Sequence, residues 1–284
     1  MSDKKSILSA FHRLELGAVN ADFRSTLSDL AVSALGKTRI TADAFADSNL
    51  KRYWNWLLEE MDRQTRRGLV PYFSLPAPGV LALKCACHSM LTSSDAKENA
   101  LGRLGLARPQ LLRQIDNLTD REYEALACVA ANSIGGLHVS LTPSGNEGGI
   151  DFLATLSIQT PTHVFSGPGS EVRLVGQCKK YSSPVAVDRL DQFLQTMQNV
   201  RHRDSRVRQH IPAWFDDAKG PIVGWVVSHS GFQSGAADEA KKHGIVLSDS
   251  LDVAELLSLS NNFDANGSPA DRSAHLLLEC QKLI

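Results

Sequence analysis

The sequence predicts an α/β fold, a mixed sheet flanked by helices, preceded by a mainly helical N-terminal domain. Two observations predict this. Over roughly the first 116 residues, apolar side chains recur mainly at three- and four-residue steps, the period of amphipathic helices. Beyond that point, short apolar runs alternate with amphipathic stretches, the order typical of a sheet covered by helices.

Composition and charge set the frame for function. The chain has 284 residues, of which 43% are hydrophobic and 21% charged, enough for one or two domains with buried cores. Its formal net charge of −1 means that any affinity for nucleic acid must come from local basic patches. No apolar run approaches the ~20 residues that cross a bilayer, and no signal-peptide core follows Met1. The five cysteines lack framework spacing, so we expect a reducing cytoplasm and no membrane partner.

We expect three parts: a helical domain over 1–116, a sheet-containing domain over 117–260, and a C-terminal tail with a closing helix over 261–284. In the first part, apolar spacing predicts helix over 6–36 and again over 49–66, with Ser48 or Asn49 as the cap of the second helix. A hairpin should follow, with a turn at 76–79.

Helices followed by a basic pair and a hairpin are the outline of a winged helix, in which one helix enters the major groove of DNA. Five basic residues are candidates for phosphate contacts, namely Lys51, Arg52, Arg63, Arg66 and Arg67. The alternative is that they are solvated charges on a helix face. The sequence therefore predicts a recognition or an oligomerisation domain and leaves its ligand open.

The stretch Cys85-Ala86-Cys87-His88 places three residues of zinc-ligand type close together, as in one of the paired clusters of a zinc site. A structural zinc takes four ligands, usually from two paired clusters, and no second cluster of suitable spacing follows. We therefore predict buried cysteines on a strand. Farther on, Ala107 to Pro109 marks a loop or a helix start. Thr119 and Glu122 have the spacing of a capping box at the start of another helix.

Two strands around the middle of the chain place polar residues together. A glycine turn at Gly148 and Gly149 leads through Asp151 into an apolar strand, and 172–180 is a strand that ends in polar residues. A Thr, Pro, Gly and Ser-rich loop over 160–170 should join them as an antiparallel pair. Because side chains alternate along a strand, Gln177 and Lys179 share one face and Cys178 takes the other. Asp151 should therefore lie near Gln177 and Lys179.

A carboxylate, an amide and an ammonium at one sheet end suit phosphodiester cleavage. The carboxylate can bind a hard divalent cation, which lowers the pKa of a bound water, and the lysine can offset charge on the phosphate. On spacing alone, these residues are also common at protein surfaces.

Four ordered motifs over about 118–259 resemble the Mrr-type restriction endonucleases, a Gln-x-Lys branch of the PD-(D/E)XK nuclease superfamily. They are Tyr123-Glu124, Gly148-Gly149-Ile150-Asp151, Gln177-Cys178-Lys179, and Ser230-Gly231-Phe232 followed by Ala236, Ala237 and Ala240. The Gln-x-Lys form departs from the more usual Glu-x-Lys of the superfamily. The resemblance implies a restriction-endonuclease-like sheet for the second domain.

The resemblance also implies a reaction, the hydrolysis of DNA phosphodiesters with Mg2+ (or Mn2+). It assigns the metal to Asp151, the backbone carbonyl of Cys178 and Glu124, while Gln177 and Lys179 act on the water or the phosphate. Glu147 is a secondary candidate for binding metal or water. Dimers or larger assemblies are expected, because cutting both strands commonly needs two sites.

The biological role that the resemblance implies is defence against foreign DNA, by restriction or as an antiphage effector with a partner protein. Two alternatives stay open. One is a repair or junction-resolving nuclease. The other is an inactive DNA-binding or scaffold protein on a nuclease fold, because a fold does not guarantee a function.

A basic stretch follows the predicted helix over 187–200. Residues 201–210 carry a formal charge of +3, from Arg201, Arg203, Arg206, Arg208 and one aspartate. Near a nuclease site these arginines, with Lys180, would bind DNA phosphates. The alternative is a solvated loop. The remaining elements predicted from the pattern are a buried strand at 221–228, a helix at 235–243, a strand at 244–249, and helices at 251–259 and 273–284.

Overall fold

The computed structural model describes residues 3–70, 72–75, 80–143, 145, 148–157, 171–258 and 267–284. Contacts divide the chain into two compact units. The first covers Met1–Arg113 with Ala265–Gly267, and the second covers Gln114–Asp264 with Ser268–Ile284. No helix in the described ranges is both long enough and apolar enough to span a bilayer.

The first unit is mainly helical, with a small antiparallel sheet of strand order β1-β3-β2. Its elements in chain order are α1 (Asp3–Phe11), β1 (Ala21–Asp22), α2 (Phe23–Leu35), α3 (Arg39–Arg66), β2 (Phe73–Ser74), β3 (Ala82–Cys85), α4 (Cys87–Met90) and α5 (Ala96–Asn117), whose last turn lies in the second unit. Phe11, Phe23 and Leu57 lie in its core.

Two helix boundaries predicted within the first 66 residues are wrong. The helix expected over 6–36 is interrupted, because the chain pairs Ala21–Asp22 with β3 before Asp22 caps α2. The next helix begins at Arg39 rather than near 49, because the hydroxyl of Thr38 accepts from the backbone N–H of Thr41 and caps it. Ser48 and Asn49 are interior residues whose side chains donate to carbonyls of the preceding turn.

The predicted hairpin is confirmed by antiparallel pairing of Phe73 with Cys85, and its turn at 76–79 lies outside the described residues. Cys85 and Cys87 are both buried, but Cys87 begins α4 and is not on the strand. Pro109 lies inside the continuous helix α5, so the helix start predicted there is wrong.

The second unit holds a five-stranded sheet of order β4-β5-β6-β7-β8, antiparallel from β4 to β6 and parallel from β6 to β8. Its elements are α6 (Asp120–Ser133), β4 (Gly136–Leu141), β5 (Phe152–Ser157), β6 (Glu171–Lys179), α7 (Val187–Arg201), α8 (Ser205–Arg208), α9 (Ala213–Asp217), β7 (Ile222–Ser228), α10 (Ser234–Lys242), β8 (Val246–Asp249), α11 (Ser250–Ser258) and α12 (Pro269–Gln281). The predicted mixed sheet flanked by helices is confirmed, and the loop predicted at 160–170 lies outside the described residues.

Helices cover both faces of this sheet. Leu153, Val175 and Val226 pack into one core cluster with Phe193 of α7 and Ala240 of α10. Helix α6 covers β4, β5 and β6, and it contacts α11 and α12. Because side chains alternate along β6, Val175, Gln177 and Lys179 belong to the α7 face, and Gly176 and Cys178 to the α6 face.

Candidate active site

Asp151 lies directly before β5, opposite the end of β6. Its backbone N–H donates to the carbonyl of Gly176 at 2.9 Å. One carboxylate oxygen, Oδ2, accepts from the backbone N–H of Cys178 at 2.5 Å. The antiparallel pairing of β5 with β6 thus fixes this carboxylate beside the Gln177-Cys178-Lys179 segment.

The turn before Asp151 requires glycine at two positions. Gly148 and Gly149 have φ of 67° and 84°, a conformation that glycine adopts without steric cost. A Cβ at Gly148 would lie 2.8 Å from Val207 Cγ1, and one at Gly149 would lie 2.8 Å from Thr196 Oγ1. The turn is therefore in close contact with α7 and with α8, which carries Arg206 and Arg208 of the basic stretch.

Gln177 and Thr196 hold the carbonyl oxygens of this turn. The side-chain Nε2 of Gln177 donates to Gly149 O at 2.9 Å, and the hydroxyl of Thr196 donates to Gly148 O at 2.8 Å. Both side chains are buried. Because Nε2 of Gln177 is used in this way, its Oε1 is the amide atom left for a water or a cation.

Lys179 is the last residue of β6 and is half-buried. Its Nζ lies 5.9 Å from the ring centroid of Tyr181, close enough for a cation–π contact. Within the described ranges it has no ion pair with a carboxylate. This ammonium therefore keeps its charge uncompensated at the sheet end.

The backbone and the side chain of Cys178 lie in different surroundings. The carbonyl of Lys179 accepts from His229 N, on the β7 side, so the backbone groups of Cys178 point toward Asp151 on the other side. Its thiol is buried, and this burial, together with the charges of Asp151 and Glu124, raises the pKa of Cys178 well above its usual value.

Glu124 lies on α6 and is linked to the site through Arg121. Arg121 Nη1 donates to Glu124 Oε2 at 2.8 Å, and its Nη2 donates to Thr142 O at 2.7 Å. Thr142 N in turn donates to Asp151 O at 3.0 Å. Glu122, in contrast, forms the predicted capping box with Thr119, and those hydrogen bonds lower its pKa.

A cation here would have few side-chain ligands. No three His, Cys, Asp or Glu side chains converge to hold a metal in the part of the chain that the structure describes. Asp151 and the backbone carbonyl of Cys178 are hard oxygen donors of the kind that Mg2+ takes in small number, because this ion keeps several waters. The residues fit a hydrated divalent cation, and Glu147 lies outside the described residues.

The predicted DNA-binding cations differ in their partners. Arg206 forms a two-bond ion pair with Asp204, and Arg203 lies 3.6 Å from Asp216. Lys180 Nζ donates to Asp116 O at 3.1 Å. Arg201 and Arg208 are exposed and, in the described ranges, have no acidic partner, so they are the two arginines of this stretch whose charge is not paired.

Comparison with known families decides the identity of the second unit. Residues 115–257, about half of the chain, match the Mrr_cat family, described as a restriction endonuclease. The chain belongs to the Mrr-type restriction endonuclease family. This confirms the resemblance seen in the four sequence motifs.

Two solved structures show a weaker similarity to this chain. One is MspJI restriction endonuclease in complex with a 27-mer oligonucleotide, with 18% identity and a TM-score of 0.36 over 65% of this chain and 36% of that chain. The other is the DNA modification-dependent restriction endonuclease AspBHI, with 18% identity and a TM-score of 0.37 over 74% of this chain and 47% of that chain. The chain thus spans less than half of either protein, and a likeness this weak supports no functional argument. No curated protein matches the chain.

The last motif of the Mrr-type domain links the segment after β7 to the segment after β6. Ser230 Oγ donates to Tyr181 O at 2.6 Å, and Phe232 bridges Val185. Next to this motif is a pair that the sequence did not predict: His229, directly after β7, has its side chain 2.8 Å from that of Asp116, in the last turn of α5. The two residues lie 113 positions apart and carry no spacing signal, so only the fold brings them together.

Proposed function

We propose that this chain is a metal-dependent DNA endonuclease of the restriction type, acting in the cytoplasm in defence against foreign DNA. The observation that carries the proposal is the Asp151 carboxylate, which accepts a hydrogen bond from the backbone N–H of Cys178 on β6. The next residue of β6, Lys179, has no acidic partner in the described ranges. In an Mrr-type domain this arrangement supplies a cation ligand and a phosphate-stabilising charge at one sheet end.

The metal ligands we propose are Asp151, the backbone carbonyl of Cys178, and Glu124. Their oxygens suit Mg2+ or Mn2+, which when bound supplies a water of lowered pKa and polarises the phosphate. Because Gln177 stands where the superfamily more often has a carboxylate, the ligand set carries less negative charge. We therefore expect activity to need metal on the order of millimolar concentration.

Two side chains on the α7 face would act on the reacting groups. Lys179 is placed to offset the negative charge that develops on the phosphate oxygens, which is typically the largest electrostatic contribution to such catalysis. Gln177 holds the Gly149 carbonyl through Nε2 and presents Oε1 to the attacking water. The glycine turn accepts a hydrogen bond from Gln177 and leads directly into Asp151, so it holds these two side chains next to each other.

The substrate contacts we propose come from the basic stretch that packs on the same turn. Arg201 and Arg208 would bind backbone phosphates directly, whereas Arg203 and Arg206 must first leave Asp216 and Asp204. Lys180 is tied to Asp116 O and would contribute less. Such contacts would position DNA without reading its sequence. We further propose that the chain works as a dimer or larger assembly, with a partner protein of a defence system.

The test is cleavage of supercoiled plasmid by the wild type, Asp151→Ala and Lys179→Ala, each with Mg2+, Mn2+ or EDTA, on methylated and unmethylated DNA. We expect metal-dependent nicking that falls by about 10²–10³-fold in each variant. Lys241→Ala, which removes an exposed lysine from α10, is the matched control and should cut like the wild type. Cleavage in EDTA, or full activity in Lys179→Ala, would overturn the proposal. Binding without cleavage under every condition would instead indicate an inactive scaffold.

A further inference from the structure

The first unit carries an open groove along α3. It has a volume of about 930 Å³ and is lined by Lys51, Arg52, Trp54, Asn55 and Leu81, among others. All of these except Leu81 belong to α3, and Leu81 directly precedes β3. Lys51, Arg52 and Asn55 are exposed, so the groove presents polar and cationic groups to solvent.

The charges on α3 divide the helix into two parts. Near its C-terminal end, Arg63 forms an ion pair with Glu60 and Arg66 with Asp62. Lys51 and Arg52, in contrast, form no ion pair with any residue that the structure describes. Of the five cations that the sequence suggested for phosphate contacts, these two are the ones that lie in the groove.

The acid that lines the groove does not cancel this charge. Asp47 accepts two hydrogen bonds from Arg24, from Nε at 2.5 Å and from Nη2 at 2.7 Å, and this interaction lowers the pKa of its carboxyl. A bidentate pair of this kind already satisfies the carboxylate. The groove therefore has two uncompensated positive charges and no unpaired acid among its described lining residues.

The groove lies on the longer helix of an antiparallel helix pair. Helix α2 has its C-cap at Gly36, with a left-handed φ of 65°, and α3 begins after its cap Thr38, so only 36–38 separate the two helices. Hydrogen bonds of Arg24 with Asp47 and of Ser28 with Asp43 hold them side by side. Helix α2 therefore supports the part of α3 that carries the groove.

The chemistry of the lining favours a polyanion over an apolar peptide. Trp54 could have anchored a peptide, but its ring packs edge-on against Phe23 at 5.0 Å and is committed to the core. What α3 exposes in the groove is two cations and the amide of Asn55, groups that bind phosphates and adenine edges, respectively.

We propose that the α3 groove is a second DNA-binding site, which holds double-stranded DNA through Lys51 and Arg52 on phosphates and Asn55 on base edges. This site is separate from the residues that would cut, and the proposal does not depend on nuclease activity. It assigns the N-terminal unit as a recognition domain rather than an oligomerisation domain.

The test measures equilibrium binding of a labelled duplex to the full chain carrying Lys179→Ala, in EDTA, with gels to verify that the duplex stays intact. In this background Lys51→Ala/Arg52→Ala should weaken binding about tenfold or more and reduce the slope of log K against log salt by about 2. The matched control is Lys97→Ala/Arg103→Ala on α5, which removes the same charge from two exposed residues of this unit. It should change affinity by less than about twofold.

Two results would overturn the proposal. One is an equal loss in both double variants, which would mean that only overall charge matters. The other is a loss seen with single-stranded DNA but not with duplex. Asn55→Ala provides a second, independent variant, which should narrow the difference in affinity between duplexes of different sequence while leaving the salt slope unchanged. Thermal unfolding of each variant verifies that the exposed substitutions leave the unit folded.

Discussion

The two faces of strand β6 differ in what their side chains contact. On the α7 face, Gln177 donates a hydrogen bond to the glycine turn, and Lys179 has no carboxylate partner among the described residues. On the α6 face, Gly176 lies beneath the ring of Phe152 and the Cys178 thiol is buried. The α7 face carries the candidate catalytic side chains. The α6 face carries buried residues whose packing fixes the position of β6.

This difference separates two kinds of residue that are neighbours in sequence. Because side chains alternate along a strand, a motif of three residues contributes to both faces. Cys178 offers its backbone to Asp151 while its thiol belongs to the core. We therefore expect substitutions at 176 and 178 to act on stability and those at 177 and 179 to act on activity.

The largest effect is expected for Gly176→Ala on the α6 face. A Cβ there would lie 2.0 Å from Phe152 Cε1, and that ring is held edge-on by Trp225 at 5.7 Å. Overpacking of this severity should cost about 3 kcal/mol or more in the free energy of unfolding. Denaturant unfolding measures it. The double variant Phe152→Leu/Gly176→Ala should recover part of the loss, and wild-type stability in the single variant would contradict the packing described here.

On the α7 face, Gln177→Ala should reduce activity more than it reduces stability. It removes the group proposed to orient water, so we expect about a hundredfold loss of cleavage with a smaller loss in the free energy of unfolding, about 1–2 kcal/mol. Plasmid cleavage and denaturant unfolding of the same preparation measure the two effects. Gln177→Glu should not restore wild-type behaviour, because a carboxylate cannot donate to Gly149 O. A fully active Gln177→Ala would remove the distinction between the faces.

The turn that Gln177 holds depends on Thr196 as well. Thr196→Val leaves Gly148 O without its donor at nearly constant volume, which should cost about 1–2 kcal/mol. Cleavage should fall with it, because the turn positions Asp151. Thr196→Ser keeps the hydroxyl and should behave more like the wild type. If Thr196→Ser and Thr196→Val lose the same activity, the hydrogen bond is not what positions the turn.

Features with local signals were predictable from the sequence. Thr119 and Glu122 form the expected capping box, because every atom of that motif lies within one helical turn. The predicted strand over 221–228 appears as Ile222–Ser228, since a continuous apolar run is typical of an interior parallel strand. The antiparallel pairing predicted for the strand after Asp151 and the strand over 172–180 is confirmed, and it brings Asp151 to the end of β6.

What the sequence could not predict depends on partners distant in the chain. The break before α2 arises because Ala21 pairs with Leu83, and a two-residue strand has no periodicity of its own. The contact of Val207 with the Gly148 turn likewise needs the fold. Charge counting gave the stretch 201–210 a formal +3, but it could not show that Asp216 lies beside Arg203.

The smallest effect at neutral pH concerns the thiol of Cys178. The pKa of this thiol is raised in the folded protein, whereas an unperturbed cysteine has a pKa of 9.0. Above that pH the unfolded chain loses the thiol proton and the folded state keeps it. Stability is therefore lost as the pH rises above about 9, where the unfolded state binds fewer protons. From pH 7.5 to pH 10 this one group should lower the free energy of unfolding by about 1.4 kcal/mol.

Cys178→Ala isolates this contribution from the other groups that titrate over the same range. The variant should be less stable than the wild type by about 1 kcal/mol at pH 7.5, because a buried sulfur is removed, and this deficit should vanish or reverse at pH 10. Denaturant unfolding of both proteins at the two pH values measures this difference in the free energy of unfolding. If the stability of the two proteins instead changes with pH in the same way, the thiol ionises in the folded state. Cys178 could then not belong to the buried face of β6.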